Sequence, residues 1–398
     1  MIKLLFSASV MTLSVMGINF LFKIYLSYHI PKVDLGKFYT FMDVISLGIM
    51  LFSGYKDSLV KAFDEEGFSK VLFWYLLSFW ISAFVVLTLQ VSYYNTLEFH
   101  YPRFFLIVVF LLNALTVFLS YLNAAYKAYR VMLFETLVMS VGLAAGYAFF
   151  SFFLDGITSL WYAFLVSFAA RIVYLLLRSP MRLRFTIASV DEKVKNFFKN
   201  TALSSLMYFF SGLFISVSSV VILKLFGDTH FLAEYQVVVK SVFFSLVAVL
   251  VYPLNSFAFP HLSQLAAQKN REEIVRIEKK LLLYLGGLLA MLSAATFLTR
   301  PVIELVFPQE YAGSYRYLNV LLPFLVFLAY TTFALNILKG FNRFDLALYV
   351  RMSGCGMFFV ALGTMYITGF GAEAVLYAMD TAFVCMALLA FYLKRRLL

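Results

Sequence analysis

Apolar residues fill this chain in long blocks that short charged, Pro- or Gly-containing stretches separate. Most blocks reach the length of about 20 residues that a helix needs to cross a bilayer. The pattern therefore predicts an all-α polytopic membrane protein with twelve transmembrane helices. The predicted spans are 4–28, 38–55, 71–94, 104–126, 131–153, 158–177, 202–226, 234–260, 281–299, 315–337, 347–368 and 372–393.

The composition supports this fold class. The 398 residues are 63% hydrophobic and only 13% charged, with a mean hydropathy of +0.89. Soluble domains are about half apolar and about a quarter charged. The first apolar stretch is too long for a signal-peptide core and lacks a small-x-small cleavage site, so we interpret it as a spanning helix.

The net charge of +11 would suggest nucleic acid in a soluble protein. Twelve crossings with both termini in the cytoplasm explain it instead, because cytoplasmic loops of membrane proteins are rich in Lys and Arg. Of the 32 Lys and Arg residues, 23 are assigned to the cytoplasmic side, including Arg351 near the inner end of its span, and five to the opposite side, including Arg316 at the outer end of its span. The remaining four lie within spans. No nucleic-acid partner is expected.

The longest loop, 178–200, divides six predicted helices from six. We predict an N-terminal six-helix bundle over 1–177, a cytoplasmic linker over 178–200, and a C-terminal six-helix bundle over 201–398. A faint repeat crosses this divide, since Gly36–Tyr39 and Ala233–Gln236 are 197 positions apart and open corresponding helices. Repeats of equal helix number imply an axis along the membrane normal.

No enzyme signature is present, so no catalytic residue and no cofactor are predicted. The four histidines lie near helix ends without a partner at i+4 or a carboxylate cluster, which leaves no metal site. Cys355 and Cys385 lie in apolar runs and are interpreted as core residues. Gly286 and Gly287 are interpreted as helix-contact positions.

Ionisable residues inside the spans are the strongest functional signal, because charge at membrane depth is costly and usually functional. They comprise four cations and two aspartates: Lys23, Arg171, Lys224, Lys240, Asp43 and Asp380. The functional interpretation is a water-filled cavity whose cations hold an anionic cargo, with Asp43 and Lys240 pairing as a gate. In the structural interpretation Lys23, Lys224 and Arg171 reach the membrane surface, and Asp380 bonds a neighbouring helix.

Four motifs resemble one transporter superfamily. They are Gly36-Lys37-Phe38, Gly54-Tyr-Lys-Asp-Ser-Leu-Val-Lys61, Phe259-Pro260-His-Leu-Ser263 and Val302-Ile-Glu-Leu-Val-Phe307 followed by Glu310-Tyr311. Their order on twelve helices is similar to that of the multidrug/oligosaccharidyl-lipid/polysaccharide (MOP) flippase superfamily, most closely its polysaccharide and O-antigen (Wzx-type) branch. Pro308 departs from the pattern, where the family often has Gly.

The resemblance implies a MATE-like fold of two six-helix bundles around a central cavity in a bacterial inner membrane. It implies transfer of an undecaprenyl-pyrophosphate-linked glycan to the outer leaflet, in company with a polysaccharide polymerase complex. Lys23, Lys240, Lys224 and Arg171 would then contact the pyrophosphate or glycan. Asp43 or Asp380 would couple transport to H⁺ or Na⁺, a point that the residues leave open.

Three alternatives remain. A lipid II flippase has the same fold. A MATE-type drug/cation antiporter would need acidic cavity residues, whereas the spans hold four cations against two aspartates. A membrane glycosyltransferase or polymerase would need a large outer loop, and no predicted outer loop exceeds about 15 residues, the upper end of ordinary connections.

Overall fold

The computed structural model describes residues 2–63, 68–93, 102–180, 186–187, 189–251, 270–341 and 343–397, together with 262, 265–266 and 268. Side chains are described from residue 11 onward, except those of residues 12, 129 and 248. Helices make up almost all of these residues, and none of the described part is a strand. The predicted all-α class is confirmed.

Seven helices precede the long predicted linker. They are α1 (Ile2–His29), α2 (Lys32–Met50), α3 (Ser53–Ala62), α4 (Phe68–Tyr93), α5 (Arg103–Ala125), α6 (Tyr129–Phe150) and α7 (Gly156–Arg178).

Eight more follow. They are α8 (Glu192–Val221), α9 (Thr229–Glu234), α10 (Lys240–Leu250), α11 (Arg271–Val306), α12 (Tyr315–Leu321), α13 (Leu325–Gly340), α14 (Phe344–Ile367) and α15 (Ala374–Arg395). Five-residue π-helical turns, Ile222–Phe226 and Tyr235–Val239, extend α8 and join α9 to α10, and a 3₁₀ turn over Gln309–Ser314 precedes α12.

Ten of the described helical segments are long and apolar enough to span a membrane, and the bent pair Gln309–Leu321 and Leu325–Gly340 adds an eleventh. The helix α1, with 28 residues, corresponds to the first predicted span. The helices therefore follow the twelve predicted segments in order. The motif at 259–263 and the end of the predicted span 234–260 lie largely outside the described residues.

Two helices extend well beyond the predicted spans. The helix α8 begins at Glu192, inside the predicted linker, and α11 begins at Arg271, inside a charged run expected to be a separate short helix or loop. Asp191 and Asn270 cap them by accepting hydrogen bonds from the amides of Val194 and Glu273 at 3.0 and 3.2 Å. The bond from Val194 lowers the pKa of the Asp191 carboxyl.

The chain forms two compact units. The first contains Met1–Ile30 and Thr40–Gly212, and the second contains Pro31–Tyr39 and Leu213–Leu398. The sequence-based domain boundaries at 177 and 201 stay a prediction.

An aromatic cluster fills the core of the first unit. Tyr75 stacks on Phe118 with ring centroids 4.9 Å apart and donates a hydrogen bond to its carbonyl oxygen. Phe79 and Tyr55 complete the cluster. Small residues bring α6 and α7 together, since a Cβ at Gly146 would lie 3.2 Å from the Cα of Ala163.

The second unit has its own aromatic core. Phe214 of α8 packs against Phe358 of α14 and Phe383 of α15, with centroids 5.7 and 5.8 Å apart. Large apolar side chains on the outside, such as Phe297 at 85% exposure, would be unusual in a soluble protein but suit contact with lipid. The glycines Gly286 and Gly287 have no described neighbour within 4 Å of an added Cβ, so their interpretation as helix contacts is wrong.

Gly54 allows the closest backbone approach in the first unit. A Cβ there would overlap the carbonyl oxygen of Thr201 and the amide nitrogen of Ser205, neither of which can move independently of α8. We expect Gly54→Ala to destabilise the protein by about 1–3 kcal/mol, as overpacking does. Thermal unfolding in detergent measures the effect. Gly287→Ala is the matched control and should leave stability unchanged or raise it, because Ala favours the helix. Equal behaviour of the two variants would contradict the packing.

Candidate functional site

Buried ion pairs occur in both compact units. They join Arg171 to Glu135 in the first unit, and Lys32 to Glu234 and Lys394 to Glu278 in the second. Every one of these six side chains is at most 14% exposed. Since an isolated buried charge is strongly unfavourable, each pair compensates charge that the fold has removed from water.

Arg171 of α7, predicted to contact cargo, is paired within its own unit. Its Nη2 lies 3.2 Å from Oε1 of Glu135 on α6, and its Nη1 lies 3.5 Å from the sulfur of Met139. Ser120 of α5 donates to the same carboxylate oxygen at 2.7 Å. Oε2 of Glu135 and Nε of Arg171 have no hydrogen-bond partner among the described residues. The arrangement neutralises the guanidinium locally.

A parallel arrangement occurs in the second unit. Lys394 near the end of α15 bonds Oε1 of Glu278 on α11, and Tyr330 of α13 donates to that oxygen at 2.8 Å. In both units a hydroxyl and a cation thus share one carboxylate oxygen. Lys394, which belongs to the C-terminal segment predicted to be cytoplasmic, is buried because Glu278 and the rings of Tyr330 and Phe391 surround it.

Lys32, at the start of α2, forms its contacts within the second unit. Its Nζ donates to Oε1 of Glu234 at 2.6 Å and to the carbonyl oxygen of Glu310 at 2.5 Å, and it lies 5.1 Å from the ring centre of Tyr311. A Cβ at Gly36 would lie 2.7 Å from the Cα of Ala233. The residues matched by the sequence repeat, Gly36 and Ala233, are therefore in direct contact.

The predicted outer cations occupy different environments. Lys23 in α1 and Lys240 at the start of α10 are partly buried, whereas Lys224 is exposed within the π-helical turn Ile222–Phe226. Asp43 in α2 is partly buried. The predicted pairing of Asp43 with Lys240 stays a prediction.

Asp380 of α15 is buried at 4% exposure, and neither carboxylate oxygen has a hydrogen-bond partner among the described residues. The expected bond to a neighbouring helix is therefore not found in that part of the chain. Asp380 lines a cavity of about 1280 Å³ within the second unit. Its polar neighbours there include Asn319, Tyr377 and Thr381, and the remaining lining is mainly apolar.

The predicted spans contain five acids, not two, since Glu135, Glu234 and Glu373 also fall within their bounds. Glu135 lies within the predicted span 131–153 and forms the ion pair of the first unit. A check of every span for carboxylates would have found it. Glu278 was missed because it falls in a charged run that appeared to be surface, and the burial of Glu234 depends on a partner 202 residues away. No group of three His, Cys, Asp or Glu suited to a metal occurs among the described residues.

Comparison with known proteins identifies the fold. No family model matches the chain, and no curated protein matches it. Solved structures do. An inward-facing multidrug resistance MATE family transporter of the MOP superfamily superposes with a TM-score of 0.73 and 16% identity over 98% of this chain and 97% of that one.

Lipid II flippase MurJ, inward closed, gives a TM-score of 0.74 and 13% identity over 98% of this chain and 87% of that one. The Vibrio cholerae MATE transporter VcmN in its bent form gives 0.66 and 14% over 99% and 95%. At these identities the likeness shows the fold, which is the one shared by MATE transporters and MurJ. These neighbours are transporters and a flippase.

The pairing of Arg171 makes a testable statement about stability. Arg171→Met or Glu135→Leu alone leaves one buried charge uncompensated, which typically costs about 3–5 kcal/mol. The double variant removes both charges and should be markedly more stable than either single variant. Thermal unfolding of the wild type, the two single variants and the double variant in detergent gives the coupling free energy between Arg171 and Glu135.

The surface pair Arg343–Asp345 is the control, since its side chains are 44% and 62% exposed. The corresponding single and double variants should show little coupling. A double variant at 135 and 171 that is no more stable than Arg171→Met would contradict the buried pair.

Proposed function

We propose that this protein is a flippase that moves an undecaprenyl-pyrophosphate-linked oligosaccharide from the inner to the outer leaflet of a bacterial inner membrane by alternating access. The observation that carries the proposal is a fold shared with a lipid II flippase over 98% of the chain, combined with cations set inside the spans. The Wzx-type motifs favour a surface-polysaccharide repeat unit as cargo.

The chemistry of the cargo explains the cations. A pyrophosphate carries at least two negative charges, and its transfer through hydrocarbon without compensation is prohibitive. Lys23, Lys240 and Lys224 lie in the outer part of their predicted spans and would receive the headgroup there. Lys23 and Lys240 are partly buried, which suits charge-assisted bonds to phosphate better than the exposed position of Lys224. The lipid tail would remain in the bilayer.

Arg171 is held in an ion pair of the first unit. Glu135 offsets its charge at 3.2 Å, so binding an anion would require the ion pair to open. We assign Arg171 to the structure of the first unit and keep the three lysines as cargo residues. The distribution of Lys and Arg along the chain supports cytoplasmic termini, and a polysaccharide polymerase complex is the proposed partner.

Lys240 provides the direct test. In proteoliposomes with an undecaprenyl-pyrophosphate-linked oligosaccharide, Lys240→Ala should slow translocation about tenfold or more, because a bond to a charged group contributes about 1.5–3 kcal/mol. Access of a membrane-impermeant lectin to the glycan reports translocation. Lys279→Ala, an exposed lysine of α11, is the control. Unchanged translocation by Lys240→Ala would remove that residue from the mechanism, and a wild-type protein that moves only lipid II would favour the lipid II alternative.

A second function, MATE-type antiport of lipophilic cations, is favoured by one observation. Asp380 places a buried carboxylate on a large and mainly apolar cavity of the second unit. Such a group could hold a cation or a proton. In the flippase it would serve as the coupling site for H⁺ or Na⁺.

Asp380→Asn separates these roles because it removes the charge and preserves the shape. In the flippase, the variant should lose acceleration of glycan translocation by a proton or sodium gradient while basal translocation persists. In an antiporter, wild-type proteoliposomes would accumulate ethidium and the variant would not. Asp345→Asn at the exposed start of α14 is the control. Gradient-driven translocation by Asp380→Asn that equals wild type would exclude Asp380 as the coupling site.

A further inference from the structure

Arg351 differs from the other buried cations of this protein. It is the eighth residue of α14, about 10 Å along the axis from the first residue, Phe344. It is partly buried and shares a helix face with the buried residues Ala347, Cys355 and Phe358. It is assigned by sequence to the cytoplasmic end of its span, and the structure places it two turns inside the helix.

The contacts of Arg351 are weak. Its Nη1 lies 3.8 Å from the sulfur of Met386 on α15, and a thioether is a poor acceptor for a guanidinium. No carboxylate of the described residues lies within ion-pair distance of it. The positions of the second unit outside the described residues carry no Asp or Glu in the sequence. The charge of Arg351 therefore has no acidic side chain to offset it in its own unit.

The other cations show what compensation looks like here. Lys32, Arg171 and Lys394 each contact one carboxylate and are each at most 14% exposed. Arg343, just before the start of the same helix as Arg351, bonds Asp345 at the surface with distances of 2.8 and 3.0 Å. Arg351 is partly buried and does not pair with an acid of the described residues. A guanidinium without an acidic partner at this depth is favourable to an anionic ligand, which would supply the missing counter-charge.

The surroundings define where such a ligand would bind. Phe358, two turns further on the same face, packs against Phe214 of α8. The start of α14, two turns in the other direction, falls on the side that the charge distribution assigns to the cytoplasm. A planar guanidinium at this depth matches the paired oxygens of a phosphoryl group.

We infer that Arg351 binds the phosphoryl oxyanion of the cargo headgroup as it enters from the inner leaflet. This inference rests on the proposed function and adds an inner binding residue to the outer lysines. The headgroup then passes from Arg351 on one side of the membrane to Lys240 on the other, both within the second unit.

Binding of inorganic pyrophosphate to the purified full-length protein in detergent tests the inference. Isothermal titration should show binding to the wild type, weakened about tenfold or more by Arg351→Met, since the bond lost is charge-assisted. Arg351→Lys keeps the positive charge but lacks the paired N–H donors of the guanidinium, so its affinity for pyrophosphate should be intermediate. Arg343→Met is the matched control on the same helix and should bind as the wild type does.

A structural role for Arg351 would give a different result. Removing an uncompensated charge should leave thermal stability unchanged or higher in Arg351→Met without pyrophosphate, whereas loss of a structural contact would lower it. The inference is overturned by wild-type protein that does not bind pyrophosphate, by Arg351→Met that binds it equally, or by equal weakening in Arg351→Met and Arg343→Met. If Arg351→Met does not fold, Arg351→Lys provides the test. Pyrophosphate binding by Arg351→Lys equal to that of the wild type would exclude a requirement for the guanidinium's paired N–H donors.

Two further experiments identify which molecule supplies the oxyanion and test the role of Arg351 independently of the proposed flippase function. In nanodiscs, phosphatidylglycerol that abolishes pyrophosphate binding would make Arg351 a site for bulk phospholipid and overturn its assignment to cargo. Arg351-dependent binding by a protein that does not translocate the lipid-linked glycan would refute the flippase and leave the oxyanion site. Translocation by wild type and Arg351→Met at equal rates would refute the role of Arg351 in cargo entry and leave the flippase.

Discussion

The cost of charge away from water is the constraint on which this molecule depends. A chain with 63% hydrophobic residues can place an ion inside its spans only by supplying a counter-charge or a polar route. Glu135, Glu234 and Glu278 supply such counter-charge. A hydroxyl or a backbone carbonyl completes each of these sites. These pairs are structural.

The same constraint separates the candidate residues into groups. Arg171 and Lys394 have their charge satisfied by helices of their own unit, so they hold those helices together. Asp380 is the reverse case, an acid on a large cavity without a described donor. Arg351 is its cationic counterpart. One unit thus presents one acidic and one basic group whose partners are not supplied by its described residues.

Hydropathy predicted the fold well because each span must be apolar over the thickness of the bilayer. It underestimated the lengths of α8 and α11, whose charged first turns extend the helix beyond the hydrophobic block. Hydropathy identifies only the apolar part of a helix, whereas the helix itself extends to its capping residue. Asp191 and Asn270 carried that signal in the sequence. The pairing of charges was beyond reach for a different reason, since Lys32 and Glu234 are 202 residues apart and no local spacing relates them. The surroundings of Arg351 were also beyond reach, because position near a span end does not reveal which face of the helix a residue occupies.

The wide helical turn before Lys240 has a consequence for how that lysine is aimed. The Lys240 amide bonds the carbonyl of Tyr235, five residues back, so the turn holds one residue more than an α-helical turn would. If the same residues formed a regular α-helix, with no wide turn, everything downstream would be rotated by about 100° relative to α9. The wide turn absorbs the additional residue and prevents that rotation. The direction of the Lys240 side chain is thus encoded by chain length within one turn, independently of the chemistry of the residue itself.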